Sequence, residues 1–255
     1  QERRDKRDFE MQGLAGVVIS AKTYADGVKD GSIVPIEVHW LKVDLPFRVK
    51  NPASGKSGIM KEKYGIWRNE FRNKKIAEAA LMFDDDEQVL ITVKTVEHAL
   101  ILRRLLPGFK LVHGKVNDEQ RERFISEGIV EEDYDFDVKK RDEMRRKFEK
   151  GKIRKVIATS VWKRGVNFKE LSVLIRADRS STPEDCTQIP GRLSRTCLYA
   201  GKTFSVLIDC NDEFDEGCER DANGRRRIYR KKGWKQFQPD ENEHIARRGS
   251  SRGSE

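Results

Sequence analysis

The apolar positions of the chain fall into short continuous runs set between longer amphipathic stretches. VLITV at 89–93, RKVIAT at 154–159, LSVLIRA at 171–177 and FSVLIDC at 204–210 are short and rich in β-branched residues, which predicts strands buried on both faces. FKLVHG at 109–114 reads as a further strand and turn. IVPIEVHWLKV at 33–43 reads as another, with Pro35 placing its first part at an edge or lead-in because proline donates nothing to a ladder. Helical spacing takes over in GIWRNEFRNKKIAEAALMF at 65–83, where Trp67, Phe71, Ile76, Ala80 and Phe83 can share a face and the Arg and Lys residues decorate the other side. EHALILRRLL at 97–106, EQRERFISEG at 119–128 and VKKRDEMRRKFEKG at 138–151 follow as helices, the last anchored through Met144 and Phe148. Strands alternating with helices in this order predict an α/β fold of three layers around a mostly parallel central sheet.

The stretches outside that rhythm set the domain limits. Residues 1–12 are largely charged and read as a linker or start region, LAGVVISAK at 14–22 as a short packed segment, and 236–255 as a flexible tail. One domain over 13–235 is expected, with insertions near 44–65 and 127–140. The first insertion is polar and holds exposed lysines that can touch a partner; the second contains the acidic piece VEEDYDFD at 130–137. ERDANGRRRIYRKKGWK at 219–235 carries eight Lys or Arg against two acidic residues, a local charge of +6. It has two readings: a nucleic-acid groove in which Tyr229 and Trp234 stack on bases, or a capping helix whose aromatics face the core.

Charge and cysteine usage narrow the class. The 255 residues carry 52 basic and 43 acidic groups, a formal charge of +9, which favours contact with phosphate backbones without specifying a sequence to read. Cys186, Cys197, Cys210 and Cys218 show neither close pairs nor matching His spacing, so buried thiols are expected rather than a zinc site, in a reducing cytoplasm, or host cytoplasm for a viral chain. No run reaches the roughly 18 apolar residues of a spanning helix, and no contact with a membrane is expected. A cluster of carboxylates able to hold the metal of a nuclease is not evident in 131–137 or at Asp178.

The chemistry-bearing segment is QIPGRLSR at 188–195, which sets Gln188, Arg192 and Arg195 on an apparent helix start after an exposed polar stretch. It resembles motif VI of superfamily 2 helicases and translocases. Upstream, in the family's order, VLITVKTVEHALILRRLL at 89–106 resembles motif IV with its helix, LVHGKVNDEQRERF at 111–124 the next block, and KVIATSVWKRGVNF at 155–168 motif V. With the entry segment TYADGVKDGSIVPIEV at 23–38, the resemblance covers about residues 20–210 and implies the second RecA-like domain of a DNA helicase or translocase, of a phage-like or repair-related branch.

The resemblance also implies roles. Arg192 and Arg195 approach the phosphates of ATP, with Arg195 as the finger, and Gln188 links the nucleotide cleft to domain closure; guanidinium groups supply fixed donors to a transferring phosphoryl group. Gly165, Asn167 and Gly191 lie at the nucleotide edge; Asn167 stands where many relatives have Asp and supplies no negative charge. Thr92, Lys94, Thr95, His113, Gly114, Thr159, Lys163 and Arg164 contact the nucleic-acid backbone, which positions a strand without encoding its bases. For Thr95 a helix cap stands beside this role, and Trp162 has two readings, stacking on a base or packing between domains or in the core.

ATP and Mg²⁺ would be held mainly by the N-terminal RecA-like domain of the same protein, and this domain alone would hydrolyse little ATP. NPASGKSG at 51–58 does not supply the missing phosphate loop, because the full spacing puts Lys50 where the first glycine is required. DNA is the expected track, with RNA the alternative and 3′-to-5′ the direction typical of the family. The competing reading is a non-catalytic helicase-like domain that binds nucleic acid or protein.

Overall fold

Seven strands make one sheet: β1 (Ile36–Val43), β2 (Val89–Thr92), β3 (Lys110–Val112), β4 (Lys155–Ala158), β5 (Val173–Arg176), β6 (Ser205–Asp212) and β7 (Lys235–Phe237). The structure is a computed structural model that describes residues 22–137, 139, 141–162, 168–196 and 202–238. The strand order is β3-β4-β2-β5-β6-β1-β7, and every pairing is parallel. The strands therefore end along one edge, where Val112, Ala158, Thr92, Arg176 and Asp209 are successive register neighbours. β2 and β5 are buried at every residue, as their uninterrupted apolar runs require.

Helices cover both faces. On one, Val89, Ile91, Ile175 and Ile208 pack against Ile76 and Ala80 of α3 (Glu70–Leu81) and Ala99 and Leu102 of α4 (Val96–Leu105). On the other, Leu90, Leu174, Leu207 and Trp40 meet Phe148 of α6 (Arg141–Glu149), Cys186 of α7 (Pro183–Thr187) and Tyr229 of α8 (Glu216–Lys231). Met144 packs at the margin of that second core, so the expected anchoring of α6 holds. The remaining helices are α1 (Tyr24–Lys29), α2 (Gly58–Glu62) and α5 (Asp118–Ser126). No described helix is long and apolar enough to cross a membrane.

The helix expected over 65–83 is broken. A π-helical turn spans Lys63–Trp67, and Asn69 starts α3 afresh, its side chain accepting from the Arg72 N–H. Arg72, expected on a solvated basic face, is fully buried: its Nε donates to Asp212 Oδ1 at 2.8 Å and its Nη1 to the Ala177 carbonyl at 2.8 Å. A buried guanidinium persists only where an acid and acceptors meet it, and those lie far away in sequence, beyond the reach of a periodicity argument. The stretch at 44–65 is likewise not wholly irregular, since α2 and most of the π turn fall within it. In the acidic piece after α5, Tyr134 and Phe136 pack toward Phe124 and Ile129.

The basic segment at 219–235 resolves in favour of a capping helix. Tyr229 is fully buried with its hydroxyl donating to Asp209 Oδ2 at 2.6 Å, and Trp234, also buried, stacks on its ring with centroids 5.3 Å apart. Neither ring is presented to a base. Gly233, at φ +75°, ends α8 and turns the chain into β7. The expected tail thus gives Gln236 and Phe237 to the sheet, where Phe237 stacks on His39. Most of the apolar segment 14–22, and residues 239–255, lie outside the described residues.

Candidate functional site

Gln188, Arg192 and Arg195 do not share a helix. Thr182 caps α7 and Gln188 closes it, exposed to solvent. Pro190 has no N–H to continue the ladder, so Pro190–Arg192 form a single 3₁₀ turn, and Arg195 makes an isolated antiparallel bridge with Ile33. The two arginines still belong to one small unit, because Leu193 between them is fully buried and the carbonyls around it are all claimed. Lys202 Nζ donates to Leu193 O at 2.6 Å and Arg195 O at 3.1 Å, Ser205 Oγ donates to Leu193 O at 2.8 Å, and Val34 N–H donates to Ser194 O at 2.8 Å.

Arg192 and Arg195 are both half-buried. Burial pushes the Arg192 guanidinium below its usual value, and the positive charge of Arg195 pushes the same way. A guanidinium keeps its proton regardless, so the turn carries two positive charges. Gly191 leaves open space, with nothing within 4 Å of where a β-carbon would stand. Arg192 Nη1 also donates to the Trp162 carbonyl at 3.1 Å. Trp162 ends a 3₁₀ turn, Ser160–Trp162, that follows β4, and its ring is buried against Phe148 and Phe168, which makes it a core residue.

The expected nucleic-acid contacts sort into three groups. Lys94, Gly114 and Thr159 follow the ends of β2, β3 and β4 on one edge, where Thr159 N–H donates to Val112 O and Val93 N–H to Ala158 O, both at 3.0 Å. Thr159 is itself buried, and three further residues turn inward. The Thr92 hydroxyl is buried at 3.5 Å from Ile175 O, Thr95 caps α4 by accepting from His98 N–H, and His113 is buried with Nδ1 2.7 Å from Gly114 O. For Thr92 and Thr95 this follows from position, because the last residue of a buried strand and a helix N-cap both have internal groups to satisfy. Lys163, Arg164, Gly165 and Asn167 lie outside the described residues.

Two features escaped the sequence. Lys202 and Ser205 hold the arginine turn, yet nothing marks a lone lysine ahead of a strand as a clamp. The second is a cleft of about 510 Å³ at the C-terminal edge, between α2, the loop after β5 and the start of α8. Its Lys61, Lys94, Arg179 and Arg220 are balanced by Glu62, Asp178, Asp185 and Asp221, so it has no net attraction for an anion. Neither Arg192 nor Arg195 lines it. The loop after β5 could have been singled out by topology, since ligands of open α/β sheets gather at carboxyl ends of strands. Among the described residues no cluster of His, Cys, Asp or Glu could hold a metal ion; Cys186, Cys210 and Cys218 are buried free thiols, and Cys197 is outside the described residues.

A parallel sheet covered by helices on both faces defines a RecA-like α/β domain. Residues 72–197 match the family model described as the helicase conserved C-terminal domain. No curated protein matches it in sequence. In fold it is similar to S. cerevisiae Dbp5 bound to RNA and ADP BeF3, with TM-score 0.54 and 13% identity, covering 98% of this chain and 52% of that one. It is similar also to the C-terminal domain of the DEAD-box protein Dbp5, with TM-score 0.50 and 13% identity over 86% of this chain and 98% of that one. For T4 UvsW the TM-score is 0.50 at 17% identity, over 80% of this chain and 41% of that one. The chain thus spans about half the length of the Dbp5 chain bound to RNA.

Proposed function

We propose that residues 13–235 form the second motor domain of an ATP-dependent helicase or translocase, which supplies Arg192 and Arg195 to a nucleotide held at a cleft with an N-terminal RecA-like domain. The observation that carries this reading is the Arg192–Trp162 hydrogen bond at 3.1 Å. It ties the arginine turn to a segment that begins, three residues earlier, with Thr159 at the edge where Lys94 and Gly114 also lie. A change in the position of Arg192 on closure would thereby be felt at the track.

The donor set fits a nucleoside triphosphate, since two half-buried guanidinium groups suit phosphate oxygens. ATP, when bound, supplies the phosphoryl group whose transfer to water drives the cycle. Arg195 would stabilise charge on the transferring oxygens, Arg192 would do so while fixed to Trp162, and Gln188, exposed at the end of α7, would face the partner domain. Mg²⁺ would belong to that partner domain. Lys94, the backbone at Gly114 and Thr159 would position the track. Motif resemblance favours DNA, and the similarity in fold to a protein bound to RNA gives RNA equal place in the test.

The test is nucleic-acid-stimulated ATP hydrolysis by this domain joined to its N-terminal motor domain, with single-stranded DNA and RNA, against Arg192→Ala/Arg195→Ala. Loss of at least about 100-fold in stimulated turnover, with the fold retained, is expected. Equal turnover in both proteins overturns the arginine role. Nucleic-acid binding without turnover in either would favour a binding domain.

A further inference from the structure

The chain leaves β1 at Val43 on the same edge as Lys94, Gly114 and Thr159, and reaches α3 only at Glu70. The later part of this excursion is tied down on two sides. Asn51 Nδ2 donates to Phe214 O at 2.7 Å and Lys61 pairs with Asp215 at 2.7 Å, both beyond β6, while Glu62 pairs with Lys94 at 2.8 Å, beyond β2. Ile66 and Trp67 are buried with Cys218 and Phe214.

The earlier part projects. Val49 N–H donates to Pro46 O at 2.8 Å, which closes a tight turn with Phe47 and Arg48 at its two corners. Phe47 has 103% relative exposure and is the one aromatic among the large apolar residues exposed in the described structure; Ile59 and Met60, exposed as well, stand apart from the turn on α2. Arg48 and Lys50 beside it are exposed. Over residues 44–64 there are five Lys or Arg against two acidic residues, a balance of +3, and one of those acids, Asp44, faces Lys42 at 3.8 Å.

A phenyl ring left wholly in water gains by covering a flat apolar partner. The core of a protein interface would gather several apolar side chains and few lysines, whereas a lone ring between cations matches a base between two phosphates. We infer that the Pro46–Val49 turn is a further contact for single-stranded nucleic acid, in which Phe47 stacks on an unpaired base and Arg48 and Lys50 hold neighbouring phosphates. The inference rests on the reading of the C-terminal edge as the track, and the Glu62–Lys94 pair joins the excursion to that edge.

The experiment is fluorescence anisotropy of this chain with labelled single-stranded DNA and RNA oligonucleotides across a salt series. Phe47→Ala should weaken binding by roughly 5- to 100-fold with the salt slope unchanged, and Phe47→Trp should retain it. Arg48→Ala/Lys50→Ala should reduce the slope by about 0.7 per side chain removed. Unfolding midpoints should not move, because neither corner of the turn packs in the core. Wild-type binding that both variants match overturns this inference and leaves the track reading standing. A wild-type chain that binds neither oligonucleotide overturns both, and loss of docking to the N-terminal domain with unchanged oligonucleotide affinity gives the turn to a protein interface instead.

Discussion

The Lys202 ammonium, 8% exposed, donates to the carbonyl of Leu193 at 2.6 Å and so fixes the turn that carries both candidate phosphate-binding arginines. It reaches Arg195 O as well, at 3.1 Å. A buried charge of this kind is stable only while its acceptors stay in place, so it holds the backbone of the arginine turn as tightly as the turn holds it.

Lys202→Met should therefore act on the position of the arginines. On the proposed motor role, the expected result in this domain joined to its proposed N-terminal partner is a fall of about tenfold or more in stimulated turnover, with KM for ATP changed far less, and partial recovery in Lys202→Arg. A stability loss of about 1–3 kcal/mol should accompany it. Turnover that tracks stability alone across both variants would argue against positioning.

Arg72 and Asp212 form an ion pair with relative side-chain exposures of 0% and 1%, and Arg72 also binds the Ala177 carbonyl. Burial works against the Arg72 charge, but Asp212 beside it leaves the guanidinium above its usual value. Removing one partner leaves an uncompensated charge, so Arg72→Met should cost about 3–5 kcal/mol, read as a lower urea midpoint. Arg72→Met/Asp212→Leu should recover part of that loss, since a well-packed apolar pair replaces such a bridge at little cost. A double variant no better than the single would show that the backbone acceptor, rather than the charge pair, carries the stability.

What the sequence made legible follows from how each feature is encoded. β2, β5 and β6 lie where their apolar runs stood because a strand buried on both faces needs no information from elsewhere. Arg72 read as a solvated cation, and no pattern gave Arg176 or Arg225 a partner, yet all three are buried, on Asp212, on Asp178 with Asp209, and on Asp209, respectively. Charge compensation is a property of the folded chain, and the acids lie on other elements. The arginine turn was legible as a pattern but not as a shape: Pro190 breaks the expected helix, and the clamp by Lys202 depends on a chain return that spacing does not show. Tyr229 and Trp234 were ambiguous for the same reason, since a basic helix with aromatics has the same composition whether its rings meet bases or a sheet.

Cys186, Cys210 and Cys218 should be inert in the folded protein. All three are buried, and burial pushes the thiols of Cys210 and Cys218 up to about 12 and raises that of Cys186. Reaction with a thiol reagent needs thiolate and access, both of which burial removes. Peptide mapping after brief labelling at mild alkaline pH should find these three unmodified until denaturant is added. Labelling of native Cys210, which is fully buried on β6 between β5 and β1, would contradict the packing.

His98 should make stability fall with pH in the mildly acidic range. It is fully buried in α4, its Nε2 is 2.9 Å from Asn73 Oδ1, and its Nδ1 has no hydrogen-bond partner. Burial first, and then the Arg72 charge, push the imidazole well below its usual 6.5. The unfolded chain takes up the proton near that usual value while the folded chain refuses it, so the unfolded state binds more protons as pH falls. The stability present above about pH 6.5 is then lost downward at up to about 1.4 kcal/mol per pH unit, until the folded imidazole itself protonates. This window lies above that of the carboxylates Asp178 and Asp215, whose folded values are lowered from 3.8 and whose contributions are lost only at more acid pH. Urea unfolding between about pH 7.5 and about pH 5.5 should show this slope in the wild type and a shallower one in His98→Gln, whatever the offset between the two proteins. Parallel curves would mean that the imidazole is charged, or opens to water, in the folded state.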